Sequence, residues 1–179
     1  MITKNQILDA QNKWGNGIVK IGTLKDSPKL CLEYTSSFLN DSYDFKSGDV
    51  LFKPTKASKQ QFRPTFEMAI SYFLGGKDSY CSEDDGFAMQ PWKTVKFEND
   101  GILINEDSAI AMGNYFFTDY SGKQLRLNTH LDTNKEDLLC SLIFTIHLSL
   151  SALSFDLICI HLFSESWNIF EFPQFYLFQ

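Results

Sequence analysis

The composition of this chain changes abruptly near residue 140. All 16 lysines and arginines lie between Lys4 and Lys135, and all 10 glycines lie between Gly15 and Gly122. The stretch 140–179 contains no lysine, arginine or glycine, and it consists mainly of leucine, phenylalanine, isoleucine and serine. A folded domain needs glycine for its tight turns and charged residues for its solvated surface. The sequence therefore predicts an ordinary domain followed by a segment of different character.

The size and charge of the chain narrow the class of protein. A length of 179 residues suits one domain, and an apolar content of 44% is enough for a core. The net charge is -6 and no block of basic residues occurs, which argues against nucleic acid as the main partner. The four cysteines form no Cys-x-x-Cys pair, so reduced structural cysteines are expected rather than disulfides or a zinc ribbon.

Neither end of the chain carries a convincing targeting or membrane signal. The first 25 residues lack the features of a secretory or transit peptide, which predicts a cytoplasmic protein. The run 138–155 is uncharged and just long enough for a membrane helix. Its frequent serines and the lack of a basic residue at its far end favour a segment that is not a membrane anchor.

The first 123 residues show readable helix and strand signals. Thr3 and Gln6 predict a capping box, and Pro28 stands where a second helix begins. The order of helices followed by strands is that of an α+β domain. The predicted elements are a first helix from Thr3, a second over 27–39, a strand at 50–52, a third helix over 63–74, and strands at 94–97, 101–105 and 109–118, with a hairpin turn at 98–101.

Five sequence blocks resemble a known family. They are WGNGIVKIG at 14–22, VLFKPTKA at 50–57, FRPTFEMAISYFLGG at 62–76, EDDGFAMQPWKTVKFEN at 83–99 and AIAMGNYFFTD at 109–119. Together they resemble the iota-class carbonic anhydrases, whose fold is similar to the association domain of calcium/calmodulin-dependent protein kinase II. The resemblance implies a cone-shaped nuclear-transport-factor-2-like fold, with N-terminal helices packed on a curved antiparallel sheet. It also implies hydration of carbon dioxide to bicarbonate.

The same resemblance suggests candidate site residues. It implies that Thr55 and Tyr72 line the pocket, where Thr55 would donate to a bicarbonate oxygen and Tyr72 would orient the attacking water or donate to the anion. From the residues alone, a threonine after proline is usually a turn or cap residue, and a tyrosine in a helix is usually a core residue. Lys53 and Arg63 could supply positive charge to an anion or be surface charges. Asn114, in an apolar strand, could face the pocket or satisfy a bulge.

The sequence argues against a metal site in this region. No histidine occurs from Met1 to Lys123, so three histidines cannot hold a catalytic zinc ion there. The carboxylates at 83–85 could bind a hard cation, although a solvated acidic loop explains them more simply. Because some members of the resembling family work without metal, we expect no cofactor.

After Lys123 the resemblance ends. The family continues with a strand, a hairpin and a strand ending in His-His-Ser-Ser, whereas this chain reads LRLNTHLDTN at 125–134. Codons can be chosen for this segment so that one extra base placed before them shifts the reading frame. The shifted frame then encodes Thr-Lys-Val-Glu-Tyr-Thr-Phe-Gly-Tyr-Lys, which is the strand that the family has at this point. We therefore divide the chain into a domain at 1–123 and a frameshifted or mis-spliced hydrophobic tail at 124–179. The fold would then be incomplete, with the strand at 109–118 left as an unpaired edge and the chain inactive as it stands.

Three functions remain open. The first is a metal-independent carbonic anhydrase acting on carbon dioxide and bicarbonate, expected to form a homo-oligomer. The second is a non-catalytic oligomerisation module like the kinase association domain. The third is a cone domain that binds another small molecule. The Thr55–Tyr72 pair favours the first.

The reading-frame hypothesis predicts the outcome of sequencing the transcript across codon 124. We expect one additional base, or a different splice junction, that restores the strand and the His-His-Ser-Ser segment. A transcript with an unbroken frame ending at Gln179 would exclude the hypothesis.

Overall fold

The computed structural model describes residues 1–46, 50–106 and 108–134, and it confirms the α+β class. Three helices and one helical turn precede three strands that form a single antiparallel sheet in the order β1-β2-β3. The elements are α1 (Lys4–Thr23), α2 (Pro28–Ser42), α3 (Phe66–Leu74), a 3-10 turn (Phe87–Met89), β1 (Trp92–Ile104), β2 (Ser108–Asp119) and β3 (Gln124–Asn134).

Helix α1 begins where the sequence predicts. The Thr3 hydroxyl accepts the Gln6 backbone N–H at 3.3 Å, and the Gln6 side chain accepts the Thr3 N–H at 2.9 Å, which confirms the capping box. One face of the helix packs on β1. Gly17 lets α2 approach closely, since a Cβ at this position would lie 2.3 Å from the Phe38 ring. Gly17 therefore serves the packing of α1 on α2.

Trp14 occupies the middle of the core between the helices and the sheet. Its side chain is 2% exposed, and its indole N–H donates to the Tyr43 hydroxyl at 3.1 Å. Trp14 also makes edge-to-face and tilted contacts with neighbouring aromatic rings, and such contacts add to the stabilisation that burial provides. Five aromatic rings have centroids 5.9–6.4 Å from the indole: Phe38, Phe73, Phe97, Tyr115 and Phe117.

The segment 50–64 is a pair of extended chain pieces rather than the predicted strand. The Arg63 N–H donates to the Phe52 carbonyl at 2.8 Å, and the Val50 N–H donates to the Pro64 carbonyl at 3.0 Å. These two bonds close a loop over residues 53–62. Helix α3 begins at Phe66 rather than Arg63, because a residue that precedes proline is disfavoured in helical conformation.

Strand β1 runs straight through the predicted hairpin turn at 98–101, so that prediction is wrong. A bulge between Asn99 and Gly101 absorbs the extra residue opposite Gly113. The Asn99 and Gln11 side-chain amides exchange two hydrogen bonds of 2.8 Å, which ties the bulge to α1. The chain reverses instead near Asn105, whose N–H donates to the Ser108 carbonyl at 2.8 Å.

Strand β3 corrects the expectation of an unpaired edge at 109–118. It pairs with β2 in antiparallel register from Gln124 opposite Thr118 to Asn134 opposite Ser108. Leu131 is fully buried, and Leu125 and Leu127 pack against the core from the same face of the strand. Alternate residues of this stretch thus supply an apolar face of the kind a sheet requires.

No helix within these described ranges combines the length and hydrophobicity that a bilayer span requires. The apolar run 138–155 and the remainder of the predicted tail from residue 135 lie outside the described residues. The assignment of residues 124–179 to a shifted frame therefore stays a prediction.

The bulge predicts that a glycine-to-alanine substitution lowers the stability of the fold at Gly113 but not at Gly101. In Gly113→Ala the new Cβ would meet the Glu98 carbonyl oxygen at 2.1 Å, whereas at Gly101 nothing lies within 4 Å. We expect Gly113→Ala to lower the free energy of unfolding by about 1–3 kcal/mol, as overpacking does. Gly101→Ala, in the same bulge, should change it by less than about 0.5 kcal/mol. Urea unfolding of both variants checks this, and equal stabilities would contradict the register.

Candidate active site

A small cavity lies between α1, α3, the loop 53–62 and β2. The space that a water molecule can occupy within it is small. That space corresponds to about one water molecule. The lining is largely aromatic and consists of Trp14, Phe52, Pro54, Thr55, Tyr72, Phe73, Phe87 and Tyr115.

Thr55 reaches this cavity from the loop 53–62. Its side chain is buried, with an exposed fraction of 5%. Pro54 precedes it, and the Pro54 carbonyl accepts the Ala57 N–H at 3.3 Å, so Thr55 lies within a turn. Thr55 is therefore a turn residue, and the turn places it in the cavity lining.

Tyr72 reaches the same cavity from α3. Its ring stacks on Phe87 with centroids 5.5 Å apart, and its hydroxyl accepts the Lys56 N–H at 3.4 Å. The Thr55 hydroxyl lies close enough to the Tyr72 hydroxyl to oppose the rise in the Tyr72 pKa. The structure thus brings together the two residues that the sequence analysis selected.

Tyr115 adds a third hydroxyl that the sequence analysis did not select. Its O–H donates to Thr55 Oγ1 at 3.2 Å, and its side chain is 1% exposed. A buried tyrosine needs a partner for its hydroxyl. The signal was the alternation of Tyr115 and Phe117 on one face of β2, since a phenol on an inward face must meet a polar group from another element.

The electrostatics of the cavity keep both phenols in their neutral form. Burial raises the pKa of Tyr72, although hydrogen bonds from Thr55 and Lys56 oppose the shift. Burial also raises the pKa of Tyr115 well above its ordinary value. Both groups therefore remain O–H donors at any ordinary pH. Since Tyr115 donates to Thr55 Oγ1, the Thr55 proton is left to donate to Tyr72 or to a ligand.

Arg63 does not line the cavity, and its role in binding an anion stays a prediction. Its side chain is fully buried, and Nη2 lies 2.9 Å from Asp84 Oδ1 and 3.5 Å from Glu83 Oε1. The guanidinium also donates to the Gln60 carbonyl. Its charge is therefore neutralised within the protein, and it is neither a surface charge nor a free cation.

Lys53 and Asn114 also lie away from the cavity lining. The Lys53 ammonium lies 5.5 Å from the centroid of the exposed Phe62 ring, a cation–π contact. Asn114 directly precedes Tyr115 in β2, so its side chain points to the opposite face of the sheet. It stands there between Glu98 and Asn128 of the flanking strands. The structure therefore brings neither residue together with Thr55.

A larger depression adjoins the cavity. The rings of Tyr72 and Phe87 line both spaces and so form the wall between them. The empty volume of the depression is about 450 Å³, and its other lining residues are Lys56, Ala57, Glu83, Asp84, Asp85, Gly86 and Gln90.

Metal-binding groups do not converge in the described part of the chain. No set of three histidine, cysteine, aspartate or glutamate side chains there could hold an ion. Two of the three carboxylates at 83–85 face Arg63 instead. The prediction that the site works without metal is not tested by this geometry and stays a prediction.

Comparison with known proteins identifies similar chains. The sequence profile of the family described as metal-independent carbonic anhydrase matches residues 5–149. The metal-independent carbonic anhydrase of Nostoc sp. (strain PCC 7120) is 37% identical over 142 residues, which cover 76% of this chain and 67% of the relative. The crystal structure of the iota-carbonic anhydrase from a cyanobacterium, complexed with bicarbonate, superposes with a TM-score of 0.73 at 33% identity. That superposition covers 80% of this chain and 89% of the other.

Proposed function

Because the chain belongs to the metal-independent carbonic anhydrase family, we propose that its cavity hydrates carbon dioxide to bicarbonate through hydroxyl groups and without a resident metal ion. The observation that carries the proposal is the meeting of the Thr55, Tyr72 and Tyr115 hydroxyls at one buried, ring-lined cavity. The solved relative that is complexed with bicarbonate supports the choice of substrate.

The chemistry follows from what the cavity offers. Aromatic walls suit carbon dioxide, which is neutral and apolar. Because the cavity at rest has room for about one water molecule, its lining must open to admit carbon dioxide beside that water. When a water oxygen attacks the carbon, a C–O bond forms, one C=O bond loses its π pair to oxygen, and that oxygen gains negative charge. The Thr55 O–H donates to this oxygen, and the Tyr72 hydroxyl orients the attacking water. The water then loses one proton to solvent or buffer, which leaves bicarbonate.

The donor set supports a mechanism without metal. Histidine is absent from Met1 to Lys123, and the carboxylates of Glu83 and Asp84 are bound to Arg63. Preorganised neutral donors can stabilise developing negative charge in a site that excludes water. The proposed site relies on such donors alone.

The chain as it stands lacks one expected part of the pocket. The family resemblance implies a His-His-Ser-Ser segment that lines the pocket, and no such segment occurs anywhere in the sequence. We therefore propose that residues 1–179 hydrate carbon dioxide slowly or not at all, and that restoring the frame ahead of codon 125 restores the rate.

A non-catalytic assembly role is the second candidate, and one observation favours it. The face of the sheet that points away from the helices exposes large apolar side chains, with Leu103 70% and Met112 54% exposed. Apolar surface of this kind suits contact with a second protein. Light scattering of the purified chain would test it, and a monomer at all concentrations would exclude a homo-oligomeric module.

Substitution of the two hydroxyl residues should reduce turnover. Two proteins are compared first, the chain as it stands and its frame-restored counterpart, and the one with the higher kcat is used as the parent. In that parent we expect Thr55→Ala and Tyr72→Phe each to lower kcat by at least tenfold. Loss of one preorganised donor costs about 10²–10³ in rate in comparable sites. Stopped-flow hydration measures this. Thr94→Ala and the exposed Tyr80→Phe serve as matched controls, and full activity in the folded Thr55 and Tyr72 variants would refute the site.

Removal of metal ions should leave the hydration rate unchanged. We expect the same form to keep its kcat after dialysis against a chelator, because its donors are hydroxyl groups. The measurement is stopped-flow hydration paired with elemental analysis of the dialysed protein. Activity that disappears with the chelator and returns with zinc would contradict the metal-free mechanism.

A further inference from the structure

The loop that carries Thr55 is held by one carboxylate from a distant part of the chain. Glu83 accepts the backbone N–H groups of three consecutive residues, Ser58, Lys59 and Gln60, at 2.8–3.0 Å. It also accepts the Ser58 hydroxyl at 2.8 Å. Successive backbone N–H groups that point to one place form an anion-binding nest, and here a side chain of the protein itself is the anion.

The neighbouring residue makes the corresponding contact with the helix that carries Tyr72. Asp84 Oδ2 accepts the hydroxyl of Ser71, which directly precedes Tyr72 in α3. The Ser71 oxygen in turn accepts the Tyr80 N–H at 2.7 Å, so its orientation is fixed from a second side. The dipeptide Glu83–Asp84 therefore bonds to the loop of Thr55 with one carboxylate and to the helix of Tyr72 with the next.

Arg63 makes this connection rigid. Its guanidinium contacts both carboxylates and the Gln60 carbonyl from a fully buried position. Its backbone N–H, bonded to the Phe52 carbonyl at 2.8 Å, closes the base of the loop that contains Thr55. A buried charge that would lose its partner on displacement opposes such displacement strongly.

We propose that Glu83 is a positioning residue for the site, which holds the loop 53–62 so that the Thr55 hydroxyl stays within hydrogen-bond reach of Tyr72. The proposal rests on the proposed function, because it takes the hydroxyls of Thr55 and Tyr72 to be the groups that act on the substrate. Glu83 itself does not line the cavity, and it acts through three backbone bonds and through Arg63.

The ionisation of Glu83 agrees with this role. Partial burial alone would raise the pKa of its carboxyl. The hydrogen bonds from Lys59, Gln60 and Ser58 outweigh that effect and lower the pKa from 4.5 to about 2. A carboxyl whose pKa is lowered in the folded state stabilises the fold at pH values above its ordinary pKa. The hydrogen bonds between Glu83 and the loop 53–62, here called the clamp, are therefore complete at neutral pH and are lost only as the pH falls toward 2.

The test is a double-mutant cycle that combines Glu83→Gln with Thr55→Ala. The glutamine keeps the size of the side chain but replaces one acceptor oxygen by an NH₂ group that cannot accept the loop N–H groups. We expect Glu83→Gln alone to lower kcat at least tenfold, measured per folded molecule well below the melting temperature. In the Thr55→Ala background the same change should lower kcat less than twofold, because the positioned group is already gone.

Two further measurements keep the outcome decisive. Glu98→Gln, an exposed glutamate on β1, is the matched control and should keep full activity. Amide hydrogen exchange should show faster exchange at Ser58, Lys59 and Gln60 in Glu83→Gln than in the parent, whether or not either protein is active. If no form hydrates carbon dioxide, the proposed function fails while exchange still decides the clamp.

Three results would overturn the proposal. The first is unchanged exchange at these three amides in Glu83→Gln. The second is a tenfold loss of kcat from Glu83→Gln that is just as large in the Thr55→Ala background, because a merely structural role would give independent losses. The third is full activity of the folded Glu83→Gln variant.

Discussion

The buried guanidinium of Arg63 is the interaction on which the local architecture of the site depends. A charge without exposed surface must be paired inside the protein, and removal of a partner from such a pair costs about 3–5 kcal/mol. The partners here, Asp84 and Glu83, belong to the segment that leads into Phe87, whereas Arg63 ends the loop of Thr55. One ion-pair network therefore fixes two irregular segments that have few backbone bonds of their own, and the cavity forms where they meet α3.

Much of the fold could be predicted because its signals are local. The Thr3 capping box and the proline that begins α2 act over three or four residues, and both are seen in the structure. The wrongly predicted turn at 98–101 shows the limit of such reasoning. Its polar sequence suits a hairpin, but hydrogen bonds to Gln11 and the space beside Gly113 make a bulge the better solution. Strand β3 was missed for the opposite reason: comparison with the family pattern hid the simple alternation of Leu125, Leu127 and Leu131.

The candidate site was predictable in part for a related reason. Thr55 and Tyr72 lie in blocks that carry the family resemblance, so pattern alone located them. The role of Arg63 depends on carboxylates that are 20 and 21 residues further along the chain, and no local spacing indicates which of them faces it. Tyr115 was concealed by its aromatic neighbours, since a phenol among phenylalanines resembles core until its hydroxyl partner is known. Tertiary contact thus decided whether each polar residue served the cavity, a loop or the outer face.

The aromatic walls of the cavity affect the fate of a reaction product as well as the reaction. Hydration turns a neutral gas into an anion, and transfer of an ion to an apolar surrounding is costly unless hydrogen bonds or a countercharge compensate for it. The described lining residues offer hydroxyl groups and carry no charge. Such a cavity binds an anion less tightly than a cationic pocket would, so bicarbonate formed by the proposed reaction would leave it readily. For the proposed reaction, an enclosure of neutral donors favours entry of the uncharged substrate over retention of the charged product.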